Sequence, residues 1–214
     1  MQKLSACSRW LGLILVVVLL GAVAMWRPIL RAAGWVLVVN EHTDHADVIV
    51  IPVDTDAAGV LEAADLIQSG VATRVAVFAD LPVTAVEHEF IRRGINYESA
   101  AERSVRQLRS LGVNTVDIIP TYVGGTEDEG PALADWCDRH HFHSVVVVST
   151  SDHSRRLRRV LRRAMKGHMT KVTVECVRYL VFDPDRWWES RVGTRIEIEE
   201  LEKLLLDIVR HPIS

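Results

Sequence analysis

Hydrophobic residues along this chain gather in short runs separated by amphipathic stretches. The runs Val48–Pro52, Arg74–Phe78, Val116–Ile119, Ser144–Val148 and Val172–Val177 are rich in Val and Ile. They lack the polar alternation of a strand with one wet face, so they predict strands covered on both sides, the mark of a parallel sheet. Between them, apolar residues recur at helical spacing. Ala57–Gln68 carries Leu61, Ala64, Leu66 and Ile67 and stops at Ser69-Gly70. Thr84–Arg93, Glu98–Leu111, Thr126–His141, His153–Met165 and Arg195–Val209 read as further helices, the last with Ile196, Leu201, Leu204, Leu205 and Ile208 inward. Alternating strands and helices predict an α/β fold: a Rossmann-like, doubly wound, mainly parallel sheet of about five strands. No repeat, low-complexity stretch or second domain interrupts the pattern.

The N-terminal pattern differs. Leu11–Met25 carries no charge and is flanked by Trp10 and Trp26. About 17 such residues span roughly 25 Å as a helix, near the lower limit for crossing a bilayer. Trp at both ends fits an interfacial belt. The expected organisation is one transmembrane helix (1–26), a juxtamembrane segment (27–45) packed on the domain, and an α/β domain (46–214). Ala22-Val23-Ala24 also fits a cleavage site, so a removed signal peptide is the alternative. Lys3 and Arg9 precede the run and Arg27 and Arg31 follow it, so charge alone does not orient it. With the N-terminus inside, either reading places the domain outside the cytoplasm, the first as a single-pass protein of the inner membrane.

Setting that front aside leaves roughly 170 residues, enough for one domain with a substantial core. The net charge of −3 and the lack of an aromatic-and-basic motif argue against a nucleic-acid partner. Of the three Cys, Cys7 precedes the apolar run. Cys137 lies four residues after Leu133 and reads as a buried helical position, in preference to a disulfide with Cys176.

Candidate chemistry concentrates in Val145-Val146-Val147-Val148-Ser149-Thr150-Ser151-Asp152-His153-Ser154-Arg155-Arg156. A buried strand ends in small polar residues, and a His with several Arg opens a helix. In α/β proteins, sites form at the carboxyl ends of strands, and helix N-termini attract anions. His153 and Arg156 are therefore candidates for chemistry on a negatively charged group, with Ser149, Thr150 and Ser151 as ligand-binding neighbours. The competing structural role has Ser151 or Asp152 capping the helix and the Arg residues solvated. Asp54 stands after the first strand, where it either binds a ligand or caps a helix; no G-x-G-x-x-G accompanies it. Thr126 and Glu129 form the capping-box pattern Thr-x-x-Glu after Gly124-Gly125, and Thr126 and Asp128 are ligand-binding candidates as well. His140, His141 and His143 cluster at a helix end, where dipole effects explain them better than a metal does. The Arg-rich face from Arg155 to Arg163 offers docking to anionic lipid or simple solvation. Trp187-Trp188 reads as a rim or as core packing. Ser149 or Ser151 as a nucleophile for His153 fits poorly, being so close in sequence.

These signals, in this order, resemble the YdcF/SanA/ElyC family, the domain of unknown function 218. The matching pieces are Ala46-Asp47-Val48-Ile49-Val50-Ile51, Ala63-Ala64-Asp65-Leu66-Ile67-Gln68-Ser69-Gly70, Leu108-Arg109-Ser110-Leu111-Gly112-Val113, Thr126-Glu127-Asp128-Glu129, Ser149-Thr150-Ser151-Asp152-His153-Ser154-Arg155-Arg156, and a tail from Arg186-Trp187-Trp188-Glu189 through Glu199-Glu200-Leu201-Glu202-Lys203-Leu204-Leu205. The resemblance implies a Rossmann-like fold behind one membrane helix, a role in the bacterial envelope (peptidoglycan or lipid-carrier metabolism), and Thr126, Ser149, Thr150, His153 and Arg156 as site residues. One branch of the family is linked to S-adenosylmethionine. The chain departs from the family in lacking a Gly-rich turn after the first strand, where it has Pro52-Val53-Asp54, and in carrying Glu129 where the family has Asn or a similar residue.

Two function classes follow. One is an envelope enzyme acting on a phosphorylated or lipid-linked cell-wall precursor, with His153 as acid/base, Arg156 neutralising an oxyanion, and Thr126 and Ser149 orienting substrate. The other is a non-catalytic, membrane-tethered module binding an anionic ligand or a nucleotide such as S-adenosylmethionine. No cofactor is specified by the residues.

Overall fold

The computed structural model describes residues 10, 14, 21, 25–79, 84–179 and 181–213. Its five strands are β1 (Val48–Ile51), β2 (Val75–Ala79), β3 (Val116–Tyr122), β4 (Ser144–Ser149) and β5 (Lys171–Cys176), all parallel, in the order β3-β2-β1-β4-β5. The helices are α1 (25–36), α2 (Asp56–Gln68), α3 (Ala85–Arg92), α4 (Ala100–Ser110), α5 (Thr126–His140), α6 (Ser154–Ala164) and α7 (Arg191–Arg210). The expected Rossmann-like α/β sandwich is therefore present.

Period-two alternation within buried strands splits the core in two. Val48, Val50, Val145 and Val147 face α5 and α6, while Ile49, Ile51, Val146 and Val148 face α2 and α4. This is why the runs read as continuously apolar. A third cluster joins Leu37, Phe182 and Leu204, with Trp187 against it, so the stretch following α1 packs on the domain. Gly130 lets α5 and α6 approach closely, since a Cβ there would lie 2.9 Å from that of Ala164.

From β1 the chain builds outward through β2 to β3, then returns to place β4 on the other side of β1. The β1–β4 boundary is thus the switch point, where a crevice opens at the strands' carboxyl ends.

Several local expectations are corrected. Helix α7 begins at Arg191, and its buried face is Gly193, Glu197, Glu200, Leu204 and Asp207. Leu205 and Ile208 face outward, 54% and 40% exposed. Cys137 is buried in the core as expected; its thiol is pushed up to about 12 by burial, and neither it nor Cys176 is in a disulfide. The uncharged run Leu11–Met25, apart from Ile14, Gly21 and Met25, lies outside the described residues. Among the described residues no helix is long and apolar enough to cross a membrane.

Candidate functional site

Three segments meet at the switch point. The end of β1 continues into a short 3-10 turn, Val53–Thr55; the end of β4 runs through Thr150–His153 into α6; and α5 begins at Thr126. Helix α7 crosses alongside α6. His153 occupies the N-cap position of α6 and is only 4% exposed. Its Nε2 lies 3.1 Å from Thr126 Oγ1, and its Nδ1 lies 3.3 Å from Glu200 Oε2 and 2.9 Å from Arg156 Nη2. Arg156 in turn reaches Glu200 through Nε at 3.4 Å.

Proton bookkeeping gives this cluster its chemistry. Nδ1 faces a guanidinium that can only donate and a carboxylate that can only accept. When Nδ1–H donates to Glu200, Nε2 accepts from the Thr126 hydroxyl and His153 is a base. When Nδ1 accepts from Arg156, Nε2–H donates to Thr126 Oγ1 and the neutral ring is a hydrogen-bond donor on that side. One ring rotamer serves both roles.

The sequence-derived candidates divide accordingly. His153, Arg156 and Thr126 are brought into contact. Ser149 is fully buried and turns its hydroxyl to the Thr150 carbonyl, while Thr150 is half-buried beside Asp152. Ser151 is buried with a hydroxyl that has no partner among the described residues. Asp54 sits exposed on the 3-10 turn, near enough to Glu129 to act on it electrostatically. Asp128 is exposed and accepts a hydrogen bond from Gly124 N–H at 3.0 Å, a local turn contact away from His153.

The capping assignments do not hold. Gly125 is the N-cap of α5 and no side chain caps it. The helix begins one residue too early for Thr126 to cap, so its hydroxyl turns to His153, and Glu129 Oε1 accepts the Val53 N–H at 2.8 Å from across the crevice. Neither Ser151 nor Asp152 caps α6, because His153 holds that position; Asp54 likewise caps nothing on α2, whose N-cap is Thr55. Capping boxes occur instead at Thr84–Glu87 and Ser99–Glu102. Of the Arg residues of α6, Arg155, Arg156, Arg158, Arg159 and Arg163 are engaged and not solvated, while Arg162 is exposed. Arg155 donates to the Val36 and Val38 carbonyls, Arg158 meets Glu41, and Arg159 and Arg163 meet Asp207. That leaves little of this face for lipid. His140 stacks on Phe142 and lies tilted against Trp136, which also meets Phe142, and the His143 N–H donates to Asp47. Among the described residues no group of His, Cys, Asp or Glu is arranged to hold a metal.

The site's charge balance is acidic. Burial would raise the Glu200 carboxyl, but hydrogen bonds from His153 and Lys203 and the charges of His153 and Arg156 outweigh it and hold the group at about 2. Glu129 is raised by burial, reinforced by Asp54, and its Oε2 has no partner among the described residues. Burial, then Glu200, raises Asp152. Glu197 is pushed up to about 7 by burial and by Asp152, with both oxygens unpartnered among the described residues. Sequence reasoning missed Glu197 and Glu200. Their signal was available: Glu197, Glu200, Leu204 and Asp207 share one face of α7, and Arg156, Arg159 and Arg163 share one face of α6.

No family model and no curated protein matches this chain. Among solved structures, it is similar to a universal stress protein in complex with cAMP (11% identity, 62% of this chain and 98% of that one, TM-score 0.37). It is also similar to a universal stress protein from Archaeoglobus fulgidus (17%, 63% and 95%, 0.37). A third is HcgE from Methanothermobacter marburgensis, bound to guanylylpyridinol and ATP (15%, 82% and 100%, 0.34). Scores this low carry no argument about ligand or activity; the fold rests on the strand order itself.

Proposed function

We propose that this protein is a membrane-tethered envelope enzyme of the YdcF/SanA/ElyC type. In this reading Leu11–Met25 anchors it in the inner membrane as a single pass, the domain lies outside the cytoplasm, and the substrate is a phosphorylated, lipid-linked glycan precursor. The observation that supports chemistry is His153, held between Thr126 Oγ1 and Glu200 Oε2 at the switch point. A carboxylate on one ring nitrogen orients the imidazole, and the other nitrogen takes or gives a proton. Arg156, beside His153, supplies the positive charge for a phosphoryl oxygen. The surrounding carboxyls, Asp54, Glu129 and Asp152, repel a free phosphate dianion but accept hydrogen bonds from sugar hydroxyls. A glycan carried on a phosphate linkage satisfies both demands.

The acidic rim also favours a second reading, a binding module for a ligand with a cationic centre, such as the sulfonium of S-adenosylmethionine. One experiment separates the two. Full-length protein and its His153→Ala variant, in nanodiscs, are given prenyl-diphosphate sugars, nucleotide-sugars and S-adenosylmethionine, with thermal shift and turnover both read. A ligand at 100 times its Kd adds about 2.7 kcal/mol of stability. Turnover lost by about 10²–10⁴-fold in the variant, with the shift kept, supports the enzyme. A shift with S-adenosylmethionine and no turnover supports the module. No shift with any ligand overturns both.

A further inference from the structure

We propose that the wedge formed by α1 and residues 183–189 is the seat by which the domain rests on a lipid bilayer, its tryptophans lying in the headgroup layer. Helix α1 leaves Met25, Trp26, Ile29 and Trp35 between 43% and 60% exposed. Apolar and aromatic side chains clustered at that exposure mark an interaction surface. The chain immediately before them is the uncharged run Leu11–Met25, which ends where this surface begins.

The wedge is tightly built. A Cβ on Gly34 would lie 2.4 Å from the Pro184 carbonyl oxygen, so only glycine allows this approach. Trp187 Nε1–H donates to the Leu30 carbonyl at 2.8 Å, and Asp185 accepts from Trp35 Nε1 at 2.9 Å and Arg31 Nε at 2.6 Å. Trp26 and Trp188 meet edge to face with centroids 6.1 Å apart, and Arg27 lies over the Trp26 ring. Between the two arms runs a groove of about 560 Å³ lined by Arg27, Arg31, Trp35, Arg186 and Trp188 together with Asp185 and Glu189.

Charge decides between occupants. Arg31 is already paired with Asp185, and Arg186 with Asp183. A free anion would therefore gain little beyond Arg27. Indole rings, by contrast, partition into the bilayer interface whatever the lipid charge, and Arg27 can extend its stem toward a headgroup phosphate. The occupant is the headgroup layer of a membrane. The proposal rests on the N-terminal anchor only to bring the wedge to the bilayer.

The test uses the full chain in phosphatidylcholine–phosphatidylglycerol vesicles containing lipids brominated near the headgroup end of their acyl chains, with tryptophan emission read. Wild type is expected to be quenched, and Trp35→Phe/Trp188→Phe to lose part of that quenching. Ile29→Glu keeps every tryptophan and is expected to weaken quenching too, which guards against misfolding of the double variant. Quenching unchanged in both variants overturns the proposal while leaving the anchor in place through Trp10 and Trp26. No quenching of the wild type overturns the anchor, and this proposal with it.

Discussion

At one end of the α6–α7 seam, Asp207 meets Arg159 at 2.5 Å and Arg163 at 2.7 Å, with the carboxylate 4% exposed. At the other end, Glu197 is equally buried but has no hydrogen-bond partner among the described residues, and the charge acting on it is another carboxyl, Asp152. Both acids lie on the same face of α7. The difference comes from α6, whose Arg row ends at Arg156 and gives way to His153 and Asp152. Buried charges that are matched act as glue, and buried charges left unmatched near a His mark where a fold keeps chemistry available. Glu200 lies between, shared by His153, Arg156 and Lys203.

The largest effect is expected at the matched end. Asp207→Ala leaves the largely buried Arg159 guanidinium without its carboxylate and Arg163 with only the exposed Glu127 at 3.2 Å, a loss of about 3–5 kcal/mol. For a domain of this size each kcal/mol is worth roughly 2–4 °C in Tm, so calorimetry should show a fall of about 6–20 °C. A loss below about 1 kcal/mol would mean the Arg side chains simply turn to solvent, and the two ends would then not differ in kind.

At the unmatched end the sign reverses. The Glu197 carboxyl stands at about 7 in the fold against an ordinary 4.5. A raised acid contributes its stability fully below the unfolded value and loses it as pH climbs through the folded one. Wild type should therefore lose stability between about pH 4.5 and 7. Glu197→Gln, which removes the titration, should be about 1–3 kcal/mol more stable than wild type at pH 8, and this gain should vanish near pH 4.5. Parallel Tm–pH curves for the two proteins would sink this account.

Much of the sheet was legible in the chain because buried parallel strands leave an unbroken Val/Ile signature, as Val145–Val148 does. His153, Arg156 and Thr126 were legible because they follow strand ends or open helices. Glu200 was not, because its role depends on how α7 lies across α6, a tertiary fact that no local pattern states. Thr126-x-x-Glu129 misled for a related reason: the capping pattern is local, and His153 and Val53, distant in sequence, compete for the same two side chains and win.

Glu129 supplies the finest test of the contrast. It belongs with the unmatched groups: Oε1 holds the Val53 N–H, Oε2 has no partner among the described residues, and burial raises its carboxyl. Glutamine preserves the Oε1 acceptor and replaces an oxygen that bonds to nothing. Glu129→Gln should therefore fall within about 0.5 kcal/mol of wild type at pH 5. Because the carboxyl is raised, wild type loses stability as pH climbs through its folded pKa, and the variant should pull slightly ahead at pH 8. Chemical denaturation at the two pH values measures both quantities. A variant weaker at pH 8 than at pH 5, relative to wild type, would show that the ionised carboxylate is stabilised where it sits, and Glu129 would then belong with Asp207 as structural glue.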